Sequence, residues 1–227
     1  MAHTSEDNVR KLELPGTELM RSLVQWTLKN PLAFELQQRL SNNYTNVRTE
    51  FAGILDRSNL RILDVGCSTG TCAGQIIDMG ANAYTGVDVV SQYIEIAQRR
   101  HPRGTFIAMD ARRMTFPKEH FDVAMFVGVL HHMDDELAAD CLAEVRRVIR
   151  PGGYVVVAEP IFTPGMLFSN FLLSLDRGRY IRDEPGYRGL FDGYEITRQR
   201  FFKLSIHRFC SFVLTPRLAG MGVNNVR

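Results

Sequence analysis

The chain has 227 residues, 45% of them hydrophobic and 23% charged, and its 27 basic and 25 acidic residues give a net charge of +2. This length predicts one domain, or one domain with a small cap, and it is enough to bury a large core. The balanced charge argues against an extended nucleic-acid surface, and no segment reaches the roughly 18 apolar residues of a membrane-spanning helix.

The first part of the chain is polar and then shows helical spacing of apolar residues at 18–29, 34–40 and 47–55. We assign residues 1–56 to an N-terminal helical segment or cap, and we find no signal-peptide pattern. The four cysteines lack metal-ligand spacing, so we expect reduced thiols and a cytoplasmic location. They are Cys67, Cys72, Cys141 and Cys210.

The most informative segment is 61–70, which reads Arg-Ile-Leu-Asp-Val-Gly-Cys-Ser-Thr-Gly. It predicts a short buried strand, a turn bounded by Gly66 and Gly70, and a helix near 70–79. We expect free backbone N–H groups at the N-terminus of this helix, and such groups can hold carboxylates or phosphates. The spacing is not G-x-G-x-x-G and no Lys-Ser/Thr follows, which argues against a dinucleotide site and a P-loop.

An acidic residue stands at the end of the next strand, and another directly follows the strand after it. A strand at 83–88 ends in Asp88, whose carboxylate can accept both hydroxyls of a ribose. A strand at 105–109 is followed by Asp110, which could reach an adenine amino group. Together with the first segment, these acids predict a site for a small molecule that carries a nucleoside.

Alternation of strands with helices continues to residue 160 and predicts a doubly wound parallel sheet. The remaining predicted elements are helices near 91–100 and 134–150, strands at 121–127, 153–159, 194–202 and 207–215, and a helix-to-strand turn at 151–153. We place the main domain at 57–216, an insertion at about 161–190, and a flexible tail at 217–227.

Five of these motifs, in this order, closely resemble the class I S-adenosylmethionine-dependent methyltransferases, in particular the small-molecule group that includes the ubiquinone and menaquinone methyltransferases. The matching segments are 62–70, 85–89, 109–111, 121–132 and 142–159. The resemblance implies an α/β, Rossmann-like, doubly wound sheet of seven strands, mostly parallel with one antiparallel strand, plus N-terminal helices and an insertion after strand 5.

The resemblance also implies S-adenosyl-L-methionine as the cofactor. The residues that it assigns to cofactor binding are Asp64, Gly66, Cys67, Ser68, Thr69, Gly70, Asp88, Val89, Asp110, Ala111 and Val127. The family has no universal catalytic residue, because a base matters only if the acceptor must lose a proton.

Candidate catalytic residues follow the fourth and fifth strands. His131 or His132 could take a proton from the acceptor, or either could anchor the loop. Glu159 could orient an acceptor hydroxyl or pair with an arginine. We predict no metal site, because the directions of the two histidines and of Asp134 and Asp135 should diverge.

Acceptor specificity is expected in the insertion, whose apolar residues could line an acceptor pocket, pack as a cap helix, or contact a membrane surface through 161–182. The leading hypothesis is methyl transfer to oxygen or carbon of a small apolar, aromatic or lipid-linked acceptor, in small-molecule biosynthesis. The alternatives are a non-catalytic protein that binds S-adenosylmethionine or S-adenosylhomocysteine, and a methyltransferase for a macromolecule. No nucleic-acid partner is expected, and the oligomeric state is not predicted.

Overall fold

The computed structural model describes residues 47–77, 82–175, 179–204 and 207–217. The predicted helices at 18–29 and 34–40, and all but the first residue of the predicted tail, lie outside these ranges. The described elements are, in chain order, α1 (Val47–Glu50), β1 (Arg61–Val65), α2 (Ala73–Ile77), β2 (Ala83–Asp88), α3 (Ser91–Arg100), β3 (Thr105–Ala108), β4 (Phe121–Val127), a 3-10 turn (Leu130–His132), α4 (Asp135–Val148), β5 (Ile149–Pro160), α5 (Leu167–Leu175), α6 (Glu184–Gly189), β6 (Tyr194–Leu204) and β7 (His207–Pro216).

The strands form one seven-stranded sheet in the order β3-β2-β1-β4-β5-β7-β6. Strands β1 to β5 are mutually parallel, and β7 runs antiparallel to both of its neighbours, β5 and β6. The predicted α/β fold with one antiparallel strand is therefore confirmed. The order reverses between β1 and β4, so the loops that follow these two strands meet at a topological switch point, where ligands bind in such sheets.

Both faces of the sheet are covered, because successive side chains of a strand point to opposite faces. On one face Ile62 and Met125 pack with α1, α2 and α3. On the other face Leu63 and Phe126 pack with α4 and with Tyr187 of α6. Two apolar layers therefore hold the central strands in register and leave their carboxyl ends at one edge.

The structure moves some predicted boundaries. The turn expected at 151–153 lies within β5, because Ile149 already pairs with Phe121 and the register with β4 then shifts. Gly152, with φ of +73°, takes up the irregularity. Helix α2 begins at Ala73 rather than near 70, and α1 gives way to turns after Glu50.

Two further expectations concern the cysteines and membrane-spanning helices. All four cysteines lie within the described residues, and all are buried free thiols. In the described ranges, no helix combines the length and the apolar character that crossing a membrane requires.

Candidate functional site

The loop after β1 is packed so tightly that glycine is required at both of its ends. Gly66 and Gly70 have φ of +72° and +78°, and Ser68 between them has φ of +49°. A Cβ atom on Gly66 would lie 2.3 Å from Val129 Cγ2, in the loop after β4. A Cβ atom on Gly70 would lie 2.8 Å from the His101 ring, just past α3. The two glycines therefore let the loop lie between two neighbouring segments.

The expectation of free amides in this loop is wrong for four of its N–H groups. The N–H groups of Gly66 and Cys67 both donate to Val87 O, at 2.8 and 3.0 Å, and that of Gly70 donates to Cys67 O. The Ser68 N–H donates to the Asp88 carboxylate at 3.0 Å. The loop uses these amides to hold its own shape, so polar side chains must supply most of the ligand contacts.

The Ser68 hydroxyl is the clearest sign that the loop accepts a ligand. Its oxygen is buried and has no hydrogen-bond partner among the residues that the structure describes. Leaving a buried hydroxyl unsatisfied costs about 1–3 kcal/mol, so the loop fits a ligand that brings a hydrogen-bonding group to this atom. Thr69 lies beside it, and its hydroxyl accepts from the Arg100 guanidinium at 3.0 Å.

The end of β2 lies against the same loop. The second carboxylate oxygen of Asp88 accepts from the Val90 N–H at 2.9 Å, so the side chain is fixed by the backbone on both sides. Val89 is 71% exposed, although it is apolar. A held carboxylate next to an exposed apolar side chain suits a ribose and the flat face of a base.

Asp64 does not face solvent as a surface acid would. It is buried beneath the loop, where the Tyr84 hydroxyl donates to its carboxylate. Burial raises the pKa of Asp64 to about 7, the hydrogen bond from Tyr84 opposes this rise, and the charge of Asp88 adds to it. Burial also raises the pKa of the Cys67 thiol. Asp64 therefore titrates near neutrality, and a nearby cation would favour its ionised form.

The third predicted acid is arranged differently. Asp110 follows β3 and is gripped by Arg112, whose Nη2 and Nε donate to it at 2.7 and 3.1 Å. These hydrogen bonds lower the pKa of Asp110 to about 2. The next residue, Ala111, is buried in the core. Any ligand contact by the Asp110 carboxylate must therefore share it with Arg112.

The loop after β4 is held by Glu159, from the end of β5. One carboxylate oxygen of Glu159 accepts from the N–H groups of Val129 and Leu130, at 2.9 and 2.8 Å. The other oxygen lies 2.6 Å from Nδ1 of His131. Glu159 is fully buried, and within the described part of the chain it pairs with a histidine and two amides rather than with the arginine that the sequence suggested. Val127, which ends β4, is partly exposed at this edge.

The two histidines of the 3-10 turn differ in exposure. His131 is buried, whereas His132 is exposed, and their ring centroids are 4.1 Å apart. Asp134 caps α4 by accepting from Leu137 N–H, and Asp135 binds Arg182. Across the described ranges, no group of three or more histidine, cysteine or acidic residues is placed to hold a metal ion.

Sequence reasoning placed Arg182 only in the segment 161–182 that could contact a membrane surface, and it missed the contacts that this side chain makes within the fold. Its side chain is only 10% exposed and donates to the carbonyls of Leu130 and Met133, on either side of the two histidines. A single arginine among several gives no sequence signal for this arrangement. The hydrogen bonds of Arg182 join positions about 50 residues apart in the chain, so only the tertiary structure reveals them.

The segment after β5 begins with a side-chain clamp. The Asn170 amide both accepts from Thr163 N–H at 3.1 Å and donates to Thr163 O at 2.9 Å. The Thr163 hydroxyl is buried and has no partner within the described part of the chain. Leu167 and Phe168, at the start of α5, are 80% and 68% exposed. This segment therefore presents apolar surface just after the carboxyl end of β5.

Comparison with known proteins agrees with this geometry. A family model described as a methyltransferase domain matches residues 62–153. The O-methyltransferase rstn1 of Aspergillus nomiae is 36% identical over 111 residues, which are 46% of this chain and 48% of that protein. The phthiotriol/phenolphthiotriol dimycocerosates methyltransferase 1 of Mycobacterium ulcerans is 32% identical over 131 residues, 56% of this chain and 48% of that protein. The chain thus spans about half the length of the curated relatives that it matches.

A solved structure supports the fold. The magnesium protoporphyrin IX methyltransferase of Synechocystis PCC 6803, with bound SAH, superposes with a TM-score of 0.63 at 17% identity, covering 88% of this chain and 99% of that one. The family match covers β1 to the start of β5, which is the part that carries the glycine loop, Asp88 and the two histidines. Residues 62–153 of this chain are therefore similar to a methyltransferase domain.

Proposed function

We propose that this protein transfers a methyl group from S-adenosylmethionine to an oxygen or carbon of a small acceptor that is apolar, aromatic or lipid-linked. The observation that carries the proposal is the loop from Gly66 to Gly70. The Ser68 hydroxyl in this loop is buried and has no hydrogen-bond partner among the described residues, and the Ser68 N–H donates to the carboxylate of Asp88. Relatives named for O-methylation and for phthiotriol, menaquinone and rifamycin substrates support the class of acceptor.

The residues around the loop would each contact a different part of the cofactor. The Asp88 carboxylate, held by the Ser68 and Val90 amides, would accept the ribose hydroxyls, and the exposed side chain of Val89 would pack on the adenine. Asp64, buried and able to ionise near pH 7, would balance the positive charge of the methionine portion. Ser68 would supply a hydroxyl to the same portion. The flanking positions that we assign to the binding surface are Cys67, Thr69, Asp110, Ala111 and Val127.

S-adenosylmethionine supplies a methyl group on a sulfonium, and in-line displacement leaves a neutral thioether that needs no protonation. The protein's main task is therefore to hold the acceptor in line, and such positioning can supply up to about 7–11 kcal/mol. The rigid contacts among the loops after β1, β2 and β4 serve this purpose, because they fix the edge of the sheet where the two substrates meet.

His131 is the better placed of the two candidate bases. The buried carboxylate of Glu159 accepts from two amides, and Nδ1 of His131 is its third donor. When Nδ1 carries the hydrogen of a neutral imidazole, Nε2 is the nitrogen that accepts a proton. Glu159 then acts through His131 as a positioning residue, and the exposed His132 is the second candidate base.

The insertion provides the acceptor side of the site in this proposal. The exposed apolar side chains of Leu167 and Phe168 and the buried Thr163 hydroxyl suit an acceptor with an apolar body and one polar group. Contact of residues 161–182 with a membrane surface, a cytoplasmic location and a role in small-molecule biosynthesis stay predictions. The domain boundaries of the sequence analysis also stay predictions.

The test is transfer of labelled methyl from S-adenosylmethionine into a cell extract that is then separated into lipid, small-molecule, protein and nucleic-acid fractions. Label in the lipid or small-molecule fraction is expected, and an Asp88→Ala variant should give much less. Label in protein or nucleic acid would replace the acceptor class with a macromolecule. S-adenosylhomocysteine binding without transfer to any fraction, in extracts of several cell types, would favour the non-catalytic alternative.

A further inference from the structure

We propose that Arg182 is a positioning residue that ties the His131 turn to the insertion after β5, so that the two halves of the acceptor site are aligned together. The inference deepens the proposed function and rests on it for its catalytic meaning. The observation behind it is that the Arg182 guanidinium links the insertion to the turn that carries His131.

The Arg182 guanidinium makes an unusually large number of hydrogen bonds. Nη1 donates to Leu130 O at 3.0 Å and to Tyr180 O at 2.9 Å. Nη2 donates to Met133 O at 2.8 Å and to the Asp135 carboxylate at 2.7 Å. Nε also donates to Asp135, at 2.9 Å. Every nitrogen of the group therefore has at least one acceptor.

Two of the acceptors lie in the segment that carries the histidines. Leu130 and Met133 bracket the two histidines, so Arg182 grips the turn at both ends. From the insertion, Tyr180 N–H donates to His131 O at 3.0 Å, which adds a direct link to the histidine. The 3-10 turn is only three residues long and makes few hydrogen bonds of its own, so outside partners decide where it lies.

Arg182 also reaches the end of β5. Its guanidinium lies over the Tyr187 ring, 5.7 Å from the centroid, and the Tyr187 hydroxyl donates to Pro160 O at 3.1 Å. Pro160 follows Glu159 directly, so the turn that carries His131 and the strand that carries its carboxylate partner are both tied to Arg182. A lysine could not reproduce this, because an ammonium is a point charge without the planar fork.

The consequence is that Arg182 sets the position of His131 without touching the cofactor residues. A shift of about 1 Å in a positioning element can cost a rate of transfer on the order of 100-fold. We therefore expect Arg182→Lys to slow methyl transfer by about 10- to 100-fold while the dissociation constant of S-adenosylhomocysteine changes less than about twofold. We further expect the ¹⁵N chemical shifts of His131 to lose the pattern of a single Nδ1–H tautomer.

The experiment compares four variants with the wild-type protein. Arg182→Lys removes the planar guanidinium, and Asp135→Ala removes the exposed carboxylate that binds it. Asp135→Ala is the milder change, and it tests the positioning role if Arg182→Lys does not fold. Glu136→Ala is the control for Asp135→Ala, since it removes the neighbouring acid of the same first helical turn. Arg99→Lys is the control for Arg182→Lys, because Arg99 is exposed and makes one long ion pair.

Three readouts separate the outcomes: the imidazole ¹⁵N spectrum, calorimetric titration with S-adenosylhomocysteine, and the initial rate of label transfer into the extract. An unchanged His131 spectrum and rate in the Arg182 and Asp135 variants would overturn the proposal. So would an equal fall in rate for the two controls. If the wild-type protein transfers no label at all but Arg182→Lys still alters the His131 spectrum, the proposed function fails and the positioning role stands.

Discussion

The Glu159 carboxylate and Nδ1 of His131 lie 2.6 Å apart, and both side chains are buried at the carboxyl end of the sheet. A carboxylate that also accepts from two backbone amides has only acceptor sites to offer to the ring. An ionised Glu159 would therefore keep the His131 hydrogen on Nδ1. This pair links the fifth strand to the turn that carries the candidate base.

Glu159→Gln should slow methyl transfer strongly, because the amide cannot satisfy both the two backbone N–H groups and the Nδ1 hydrogen with its single oxygen. If His131 accepts the proton, the loss is about 10²- to 10⁴-fold in rate, with little change in S-adenosylhomocysteine affinity. Glu144→Gln is a matched control, since Glu144 also accepts from a backbone amide and pairs with Arg147, away from the site. Equal rates for the two variants would remove His131 and Glu159 from the mechanism.

Asp88→Ala should weaken S-adenosylhomocysteine binding by at least about tenfold, because hydrogen bonds to a charged group are worth about 1.5–3 kcal/mol each. The variant also loses the acceptors of the Ser68 and Val90 amides, so a modest fall in stability is expected. Calorimetry and thermal unfolding measure the two effects separately. Glu95→Ala, which removes an exposed acid from α3, should change neither. Affinity that matches the wild type would rule out the ribose contact.

Cofactor binding should depend on pH through Asp64. Its pKa is raised to about 7 by burial, so below that pH the free protein holds this group protonated. A bound cation favours the carboxylate and lowers the pKa, so affinity for S-adenosylmethionine should rise as pH increases to about 7 and level off above it. The groups around Asp64 that titrate are Tyr84, Asp88, Cys67 and Cys72, and burial raises the pKa of both thiols and of the Tyr84 hydroxyl.

The measurement is calorimetry in two buffers of different ionisation enthalpy at pH 6. Binding should release a proton in the wild-type protein and not in Asp64→Asn, whose affinity should be flat across this pH range. Proton release that persists in Asp64→Asn would assign the titration to another group.

Gly66→Ala should disturb the loop far more than a left-handed backbone alone would explain. Gly66 and Gly152 have nearly equal φ, +72° and +73°, but a Cβ on Gly66 would meet Val129, whereas nothing lies within 4 Å of one on Gly152. Gly152→Ala should therefore cost about 1–2 kcal/mol of unfolding free energy and leave S-adenosylhomocysteine binding intact. Gly66→Ala should cost more and weaken binding at least about tenfold, as the loop is pushed from Asp88. Urea unfolding and calorimetry measure the two effects. Equal unfolding free energies and equal S-adenosylhomocysteine affinities for the two variants would contradict this prediction.

Much of the fold was predictable because its signals are local. Strands β1, β2 and β4 and helix α3 have the predicted bounds, since apolar runs and their helical neighbours alternate clearly. The sequence order of the acidic strand ends also placed Asp64 and Asp88 near the glycine loop. The start of β5 was misplaced, because Pro151-Gly152-Gly153 has the composition of a turn, whereas the flanking residues Ile149 and Tyr154 both pair with β4 and the strand continues through the irregularity.

The state of each site residue was not predictable in the same way. Asp64 and Asp88 are both acids at or next to the end of a strand, yet Asp64 is buried and accepts from the Tyr84 hydroxyl, whereas Asp88 accepts from two backbone amides. Arg182 looks like any basic residue in a polar stretch, and only its three carbonyl acceptors distinguish it. These differences depend on neighbours that are distant in the chain.

By itself, the sequence determined the α/β class, most of the strands, and the glycine and acidic residues of the loops that follow them, because periodicity, glycine spacing and strand ends are properties of short segments. Only the tertiary structure decided which amides of the glycine loop are occupied, that Glu159 holds His131, and that Arg182 joins the turn to the insertion. The physical reason is that burial and hydrogen-bond partners arise when the β1, β4 and β5 loops and the insertion meet at one edge of the sheet, and no local pattern encodes that meeting.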